Sequence, residues 1–198
     1  TYDIADASGR VLVPADQKYA FRTANPARQG GRVTVSFASC VDSEPNKIWN
    51  EMAALGTETV FLMGDTPYID SSDLGVVRDR HRKFLQVPGL AALGAHTSVV
   101  GTWDDHDFGR NNGNGRNMMS GKGLTRQAFM EYRAHSQFGN GREGVYHKVD
   151  LGMIEVFLLA PRYFSQTGPS PVDPSHRRAL VTINGNGCCR ALSLIHIS

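Results

Sequence analysis

Apolar residues recur along the chain in two spacings that alternate with each other. Residues 32–38 (RVTVSFA) place an apolar side chain at every second position, as in a half-buried strand. Residues 59–63 (TVFLM) and 98–103 (SVVGTW) are short apolar runs of the kind found in buried strands. Between the first two runs, residues 45–56 repeat apolar side chains at helical spacing and end in a glycine. This order predicts an α/β core with some parallel strands.

The same alternation continues toward the C-terminus. Residues 73–95 predict one or two helices with a break at residues 88–89, where proline precedes glycine. Residues 123–138 carry apolar side chains on one face and predict a further helix. Residues 144–159 predict a hairpin that turns at residues 151–152.

Length and composition limit the classes of function. The chain has 198 residues, enough for one sizeable core or a large part of a bigger one. Its net charge of +2 gives no support to binding of nucleic acid or of an anionic membrane surface. No apolar run has the length of a transmembrane segment, and no signal peptide is visible after Thr1. The three cysteines do not form a disulfide framework.

Chemically reactive side chains follow three of the predicted strands. Cys40 ends the first strand, Asp65 and Tyr68 follow the second, and residues 104–107 (DDHD) follow the third. Each has an ordinary interpretation by itself: a small buried thiol, a turn aspartate, a packing aromatic and a solvated acidic turn. The carboxyl ends of parallel strands meet at one edge of a sheet, where ligands bind in such folds. The convergence of all three predicts a functional site.

The residue types favour a metal centre. Carboxylates packed this closely repel one another unless a cation or hydrogen-bond donors hold them. Carboxylate oxygens suit Ca²⁺, Mg²⁺, Mn²⁺ or ferric iron, and a phenolate suits a hard, highly charged ion. A thiolate needs a metal or positive surroundings to stay ionised. A set of Cys, Tyr and Asp therefore points to iron rather than to Mg²⁺ alone, and a histidine beside two metals can contact or protonate a phosphate ester.

Three motifs in this order, ASC, GDTPY and TWDDHDFG, resemble the PhoD-like alkaline phosphatase/phosphodiesterase branch of the metallophosphoesterases. The resemblance covers roughly residues 32–164. It implies an α/β fold with a partial metallophosphoesterase-type β-sandwich core flanked by helices. It also implies a periplasmic or secreted enzyme that uses Fe³⁺ and Ca²⁺ to hydrolyse phosphate monoesters or diesters. Its substrate would be a small-molecule phosphate ester or a phospholipid.

The resemblance also assigns roles to individual residues. Asp65 resembles the bridging metal ligand, and Cys40 and Tyr68 resemble iron ligands. Asp105 resembles a ligand of the adjacent metal, and His106 resembles the acid that contacts the phosphate. The remaining assignments are Asp107 to orient the His106 ring, Asp104 to support the ligands, and Asn111 to contact the phosphate or a calcium ion.

The chain departs from the family pattern in one strand end. The family commonly has LDxRY there, and this chain has LAPRY, with Ala160 in the position of the aspartate. Two further interpretations therefore stay open. The first is a non-catalytic binding module that keeps the fold, and the second is a calcium-binding structural domain, which has no use for Cys40 and Tyr68.

The sequence predicts three segments. Residues 1–30 are polar and rich in Pro, Gly and Ala, and indicate a linker or the end of a preceding module. Residues 31–180 match the N-terminal part of the phosphoesterase domain. Residues 181–198 end in LSLIHIS, which corresponds to a translated transposon end used in sequencing libraries. One permitted back-translation of the segment before it, read in a frame shifted by one base after Leu180, gives GDHQWQWLL. This reading restores a QWxWL block of the family. We therefore expect residues 181–198 to be non-native and the chain to lack the later metal ligands of the family.

Overall fold

Three layers of secondary structure form the fold. The computed structural model describes residues 4–13, 30–152, 154–165 and 194–197. In chain order the elements are β1 (Ile4–Ala5), β2 (Val11–Val13), β3 (Val35–Ala38), α1 (Ile48–Ala54), β4 (Thr59–Met63), α2 (Leu74–Leu85), α3 (Pro88–Gly94), β5 (Ser98–Thr102), α4 (Asp105–Phe108), α5 (Lys122–Tyr132), β6 (His147–Asp150), β7 (Ile154–Leu158), α6 (Pro161–Phe164) and β8 (Leu194–Ile197).

The middle layer is a parallel sheet of three strands in the order β3-β4-β5. Helix α1 connects β3 to β4, and helices α2 and α3 connect β4 to β5. The central strand β4 is buried along its whole length. The three strands run in the same direction, so their carboxyl ends lie at one edge of the sheet. The predicted parallel α/β core is confirmed.

Strand β4 separates two apolar layers because successive side chains of a strand point to opposite faces. Val60 and Leu62 pack against the helices in a cluster with Trp49, Met52, Phe84, Leu90 and Leu93. Phe61 and Met63 pack on the other side in a cluster with Leu151, Val156 and Leu158. Full burial of each such side chain contributes roughly 1.5–3 kcal/mol to folding.

The third layer is an antiparallel sheet of strands β6, β7 and β8. Its β6–β7 hairpin turns where Gly152, at φ 85°, follows Leu151. The backbone N–H of Leu151 donates to Ile154 O, which closes the turn. The apolar cluster between this sheet and the parallel sheet gives the sandwich arrangement, and the predicted hairpin is confirmed.

Helix α5 ends earlier than its hydrophobic pattern predicts. The predicted helix runs to residue 138, whereas α5 ends at Tyr132 and Arg133 is extended, with φ −127°. The buried Arg133 side chain donates from Nη2 to the backbone oxygen of Thr66, 2.6 Å away. This long-range bond holds residue 133 in its position, an effect that helical periodicity cannot reveal.

The two ends of the chain contain additional strands. Strands β1 and β2 form an antiparallel hairpin, so the segment expected to be a linker or the end of a module has regular structure within residues 4–13. Strand β8 pairs with the edge of β7. An edge strand offers unpaired backbone groups to any extended segment, so this pairing is compatible with a non-native tail. The rest of that predicted tail, residues 181–193, lies outside the described residues.

Candidate metal centre

Backbone hydrogen bonds continue the sheet beyond the ends of its first two strands. The N–H of Cys40 donates to Gly64 O, and the N–H of Val41 donates to Asp65 O, both at 3.2 Å. Cys40 and Asp65 both have left-handed backbones, with φ 56° and 53°. Non-glycine residues rarely adopt this conformation, and it clusters at functional sites. These bonds place the first two motifs side by side.

Gly64 allows the second motif to lie directly against the third. Its φ is 101°, and a Cβ atom placed there would lie 2.4 Å from the backbone nitrogen of Asp104. Any other residue type would separate the two loops. The glycine of the GD pair is therefore a requirement for close backbone approach at this site.

The third motif forms α4, a helix of four residues. Asp107 lies inward and fully buried, and its Oδ1 accepts from the N–H of Asp104 at 2.6 Å. Trp103 and Phe108, at the two ends of the motif, are buried in an aromatic cluster with Tyr163. The aromatic anchors fix the acidic turn against the core and rule out a fully solvated loop.

Three of the predicted site residues, Asp65, Asp105 and His106, meet at this edge of the sheet. Asp65, Asp105 and His106 each offer one potential metal-ligand atom, and these atoms all lie within 4.8 Å of one another. Asp65 and Asp105 are buried, with 5% and 6% of their surface exposed. The backbone N–H of His106 also donates to Asp65 Oδ1 at 3.3 Å. These three residues are called the Asp–Asp–His cluster below.

Burial and neighbouring negative charge both act on the carboxylate of Asp65 in the cluster. The pKa of Asp65 is raised to about 6, chiefly by burial and in addition by the charges of Asp104 and Asp105. The charge and backbone N–H of His106 oppose this shift only in part. Carboxylates in such an arrangement gain most from a bound cation, because it offsets both the burial and the like-charge repulsion.

Arg162 supplies the positive charge that faces the acidic side chains. Its Nε binds Asp104, and its Nη2 lies 3.1 Å from Asp105 Oδ1. Burial lowers the pKa of Arg162, but the hydrogen bond and charge of Asp104 more than offset this, so the net shift is upward. The sequence did not identify Arg162 as a site residue. The match of Arg162 to the arginine of the family pattern LDxRY was the feature of the sequence that could have indicated a role at the site.

Cys40 and Tyr68 lie at the margin of the Asp–Asp–His cluster. The Sγ atom of Cys40 is 3.8 Å from Asp65 Oδ2, and Cys40 is disulfide-bonded in this structure. It can therefore act as a thiolate ligand only after reduction. The ring of Tyr68 lies 4.5 Å from the His106 ring, centroid to centroid. Arg80 holds this loop through a 3.0 Å bond from Nε to the backbone oxygen of Tyr68.

Asp107, which is expected to orient the His106 ring, forms its hydrogen bonds with backbone groups. Its two carboxylate oxygens accept from the backbone N–H groups of Asp104 and Thr66. As the third residue of α4, it caps the start of the helix through the backbone N–H of Asp104. The His106 ring nitrogen Nδ1 instead lies 2.7 Å from Oδ1 of Asp70, which the sequence did not identify.

Asn111 is exposed, and the neighbouring Asn112 provides the contact with the cluster. The backbone N–H of Asn112, whose φ is 58°, donates to Asp105 Oδ2. Asparagine tolerates the left-handed backbone better than most residues, but the sequence of the NN pair does not show which of the two adopts it.

Two buried ionisable side chains, Asp107 and Arg133, bind the backbone of the second motif. Burial raises the pKa of Asp107 well above its usual range, and the charge of Asp65 adds to this. Burial lowers the pKa of Arg133 to about 10, and Asp107 opposes that shift. The N–H and the oxygen of Thr66 bind Asp107 and Arg133 respectively. Both polar backbone groups of the residue after Asp65 are thus fixed.

The fold has a solved counterpart. The structure is similar to that of PhoD, with a TM-score of 0.60 and 20% sequence identity, over 77% of this chain and 37% of the PhoD chain. Neither a protein-family profile nor a curated protein sequence matches the chain. Within the described residues, no helix is long and apolar enough to cross a membrane. Over the matched region, the chain has the mixed α/β fold of the corresponding part of PhoD, as the resemblance of its motifs predicts.

Proposed function

We propose that the protein from which this chain derives is a metal-dependent phosphatase or phosphodiesterase. The observation that carries the proposal is the Asp–Asp–His cluster, at the carboxyl ends of parallel strands in a PhoD-like fold. The fold similarity favours phosphate-ester chemistry, and the donor set favours metal dependence. We propose Fe³⁺ and Ca²⁺ as the metals, on the basis of the motif resemblance.

The residues fit a hard cation. Two buried carboxylates and one imidazole offer their ligand atoms within 4.8 Å of one another. The pKa of Asp65 is raised, first by burial and then by the charges of Asp104 and Asp105, and a bound cation would offset both causes. Asp65 and Asp105 would hold the metals, and Tyr68 and reduced Cys40 would complete the ligand set on the side of Asp65. When bound, the metals would supply a water of lowered pKa and would neutralise charge on the phosphoryl oxygens.

The remaining side chains have roles that follow from their positions. His106 donates a proton to the leaving alkoxide, because its imidazole ring lies within the cluster next to the two carboxylates. Asp107 acts indirectly by fixing the backbone of Asp104 and Thr66, and thereby the two loops that hold the ligands. Asn111 contacts the substrate phosphate if the loop that carries it closes over the site.

The proposal concerns the whole protein, because this chain spans 37% of the length of PhoD. We propose that residues 31–180 are the N-terminal part of the phosphoesterase domain and that residues 181–198 are a non-native tail. The later metal ligands would then lie in the restored reading frame. A periplasmic or secreted location, and a small-molecule phosphate ester or phospholipid as substrate, complete the proposal.

Hydrolysis of chromogenic esters tests this function. The restored-frame protein, loaded with iron and calcium, should hydrolyse 4-nitrophenyl phosphate or its bis-ester, and the chain as given should be inactive. Asp65→Asn should reduce kcat/KM by about 1000-fold or more, because an amide lacks the charge that holds two cations. Asp73→Asn, at the exposed start of α2, is the matched control and should be fully active.

Two results would contradict the proposal. The first is no hydrolysis of either ester by the metal-loaded, restored-frame protein. The second is near-normal turnover by Asp65→Asn with its metals retained. Equal activity of the given chain and the restored-frame protein would contradict the part of the proposal that concerns the missing ligands.

A calcium-binding or non-catalytic module is the second candidate, and Ala160 is the observation that favours it. Ala160 is buried in the aromatic cluster, in the position where the family pattern has an aspartate. A calcium module would bind Ca²⁺ through carboxylates but would gain nothing from Tyr68. The response of Tyr68 to iron therefore separates the two candidates.

A further inference from the structure

Arg80, on helix α2, joins the two loops that follow β3 and β4. Its Nε lies 3.0 Å from the backbone oxygen of Tyr68, and its Nη2 donates to the same oxygen. The Nη2 atom also lies 3.2 Å from each carboxylate oxygen of Asp42. Asp42 comes two positions after Cys40 in the chain. One guanidinium therefore contacts both of the loops that carry the proposed iron ligands at the margin of the Asp–Asp–His cluster.

The guanidinium extends a connection that the backbone begins. Two backbone hydrogen bonds join residues 40–41 of the first loop to residues 64–65 of the second. Asp42, the next residue of the first loop, is joined to the second loop through Arg80. The two loops are thus held together as far as Tyr68, beyond the last of these backbone bonds.

The position of Arg80 on α2 explains its reach. Val77, His81 and Phe84 recur at helical spacing and are fully buried. Arg80 precedes His81, so it lies at the border of this buried face, and its side chain is 34% exposed. A long side chain at such a border can cover apolar surface with its stem and bind a polar loop with its charged end.

The peptide bond between Tyr68 and Ile69 is fixed on both sides. Its oxygen accepts from Arg80, and its N–H donates to His106 O at 3.0 Å. A peptide unit is planar, so two bonds on opposite sides of the plane fix its orientation. The orientation of this plane sets ψ of Tyr68 and thereby restricts where its side chain can point.

We propose that Arg80 is a positioning residue that fixes this peptide plane and the spacing of the two loops, so that Tyr68 and reduced Cys40 can bind the same cation as Asp65. The part that concerns the cation rests on the proposed function, whereas the effect on the loops does not. Arginine suits the task because its donors lie in one rigid plane and bind a carbonyl and a carboxylate together. A lysine offers a single nitrogen on a flexible stem.

Three substitutions test the contacts of the guanidinium. Arg80→Met keeps an unbranched stem and removes every donor, and Arg80→Lys keeps one charged donor. Arg82→Met is the matched control, because Arg82 lies on the same helix and pairs with Asp79 one turn away. The side chains of Arg80 and Asp42 are 34% and 38% exposed, so loss of their pair should leave the global fold intact.

The first measurement is amide hydrogen exchange by NMR, on the chain as given and without metal. The amide of Ile69 should exchange at least about 10-fold faster in Arg80→Met than in the wild type, because its peptide plane loses one of two bonds. Arg80→Lys should give an intermediate rate, and Arg82→Met the wild-type rate. The amides of β4 should exchange equally in all four proteins.

Two results of this measurement would overturn the proposal. The first is a wild-type exchange rate of Ile69 in Arg80→Met. The second is an equal acceleration in β4, which would show a loss of global stability rather than of local order. Both results hold whether or not the protein is an enzyme.

The second measurement is metal affinity by calorimetry. The disulfide of Cys40 is first reduced, the reductant is removed, and ferric iron is supplied with a weak chelator. Arg80→Met should bind iron about 10-fold more weakly than the wild type, with a weaker phenolate absorption per bound iron, because Tyr68 is no longer held in place. Its affinity for calcium should change by less than about 2-fold, because carboxylates suffice for calcium. Arg80→Lys should recover part of the loss.

Equal weakening of iron and calcium binding would show a general disturbance of the cluster and would overturn the ligand-positioning part of the proposal. If the wild type binds iron without a phenolate absorption, the proposed iron centre fails and this part fails with it. The exchange rate of Ile69 then decides by itself whether Arg80 fixes the loop.

Discussion

The Nη2 atom of Arg162 lies 3.1 Å from Oδ1 of Asp105, within the cluster that the sequence predicts to hold metal. The Nε atom of the same guanidinium binds Asp104. Arg162 is therefore a cation that this structure places against the acidic turn. A metal bound by Asp105 would therefore share the Asp105 carboxylate with Arg162.

Arg162→Gln should destabilise the metal-free protein, because it leaves two carboxylates without their charged donor. We expect the free energy of unfolding to fall by about 1–3 kcal/mol in EDTA. Adding calcium or iron should restore part of this loss, because the metal offsets the same charge. Arg82→Gln removes an exposed pair with Asp79 and should change stability by less than about 1 kcal/mol. Urea denaturation of the wild type and both variants, with and without metal, measures these differences. An Arg162→Gln loss that metal does not reduce would contradict the shared charge balance.

Asp65 should make the metal-free protein less stable as the pH rises. Its pKa is 3.8 in a model peptide and about 6 in the fold, so between these values the folded state binds more protons than the unfolded state. Stability therefore falls as the pH rises through this window, by up to about 3 kcal/mol, and levels off above it.

Asp65→Asn removes this titration. In EDTA, the variant should gain stability relative to the wild type as the pH increases from about 4 to about 6. The comparison between the two proteins is needed because burial also lowers the pKa values of His135 and His147, and these groups change the pH dependence of both proteins equally. A stability difference that is constant across this range, measured by thermal unfolding, would show that Asp65 has no raised pKa.

Gly64→Ala should disrupt the centre. The backbone at φ 101° is strained for alanine, and the added Cβ would lie 2.4 Å from the Asp104 nitrogen. We expect a loss of at least about 3 kcal/mol in the free energy of unfolding. Gly123→Ala is the control, because a Cβ there meets nothing within 4 Å and the residue lies in α5. It should stabilise the protein by about 0.4–1 kcal/mol, and equal effects of the two substitutions would contradict the close approach of the loops.

Tyr68→Phe distinguishes an iron centre from a calcium module. A phenolate bound to ferric iron produces a visible charge-transfer absorption, and phenylalanine cannot produce it. Under reducing conditions that open the disulfide of Cys40, the iron-loaded wild type should be coloured and Tyr68→Phe colourless. Tyr146→Phe, in the exposed region near Phe164, should match the wild type. Identical spectra for Tyr68→Phe and the wild type would exclude Tyr68 as an iron ligand.

Local patterns predicted the sheet and the meeting of the motifs. β4 was predicted with its observed bounds because four apolar residues follow Thr59 without a break, and Pro88 begins α3 as its fixed φ allows. Because parallel strands end at one edge, Asp65 and Asp105 could be expected to meet.

Long-range side-chain contacts could not be predicted in this way. The end of α5 depends on Arg133 and a backbone oxygen 67 positions away in the sequence. The partner of His106 is Asp70 because Asp107 points into the core, and a run of four polar residues does not show which one turns inward. Arg162 lies in the LAPRY segment, but its contact with Asp104 depends on the packing of α6 beside α4, which no local pattern contains.

Metal titration of the reduced chain tests the central claim most directly. Isothermal titration calorimetry with calcium, and with iron kept soluble by a weak chelator, should show binding by the wild type and by Asp73→Asn. Asp65→Asn should bind at least about 10-fold more weakly, because it removes one charged ligand from the Asp–Asp–His cluster. Absence of binding by the wild type, or equal affinity in Asp65→Asn, would contradict the assignment of this cluster as a metal centre.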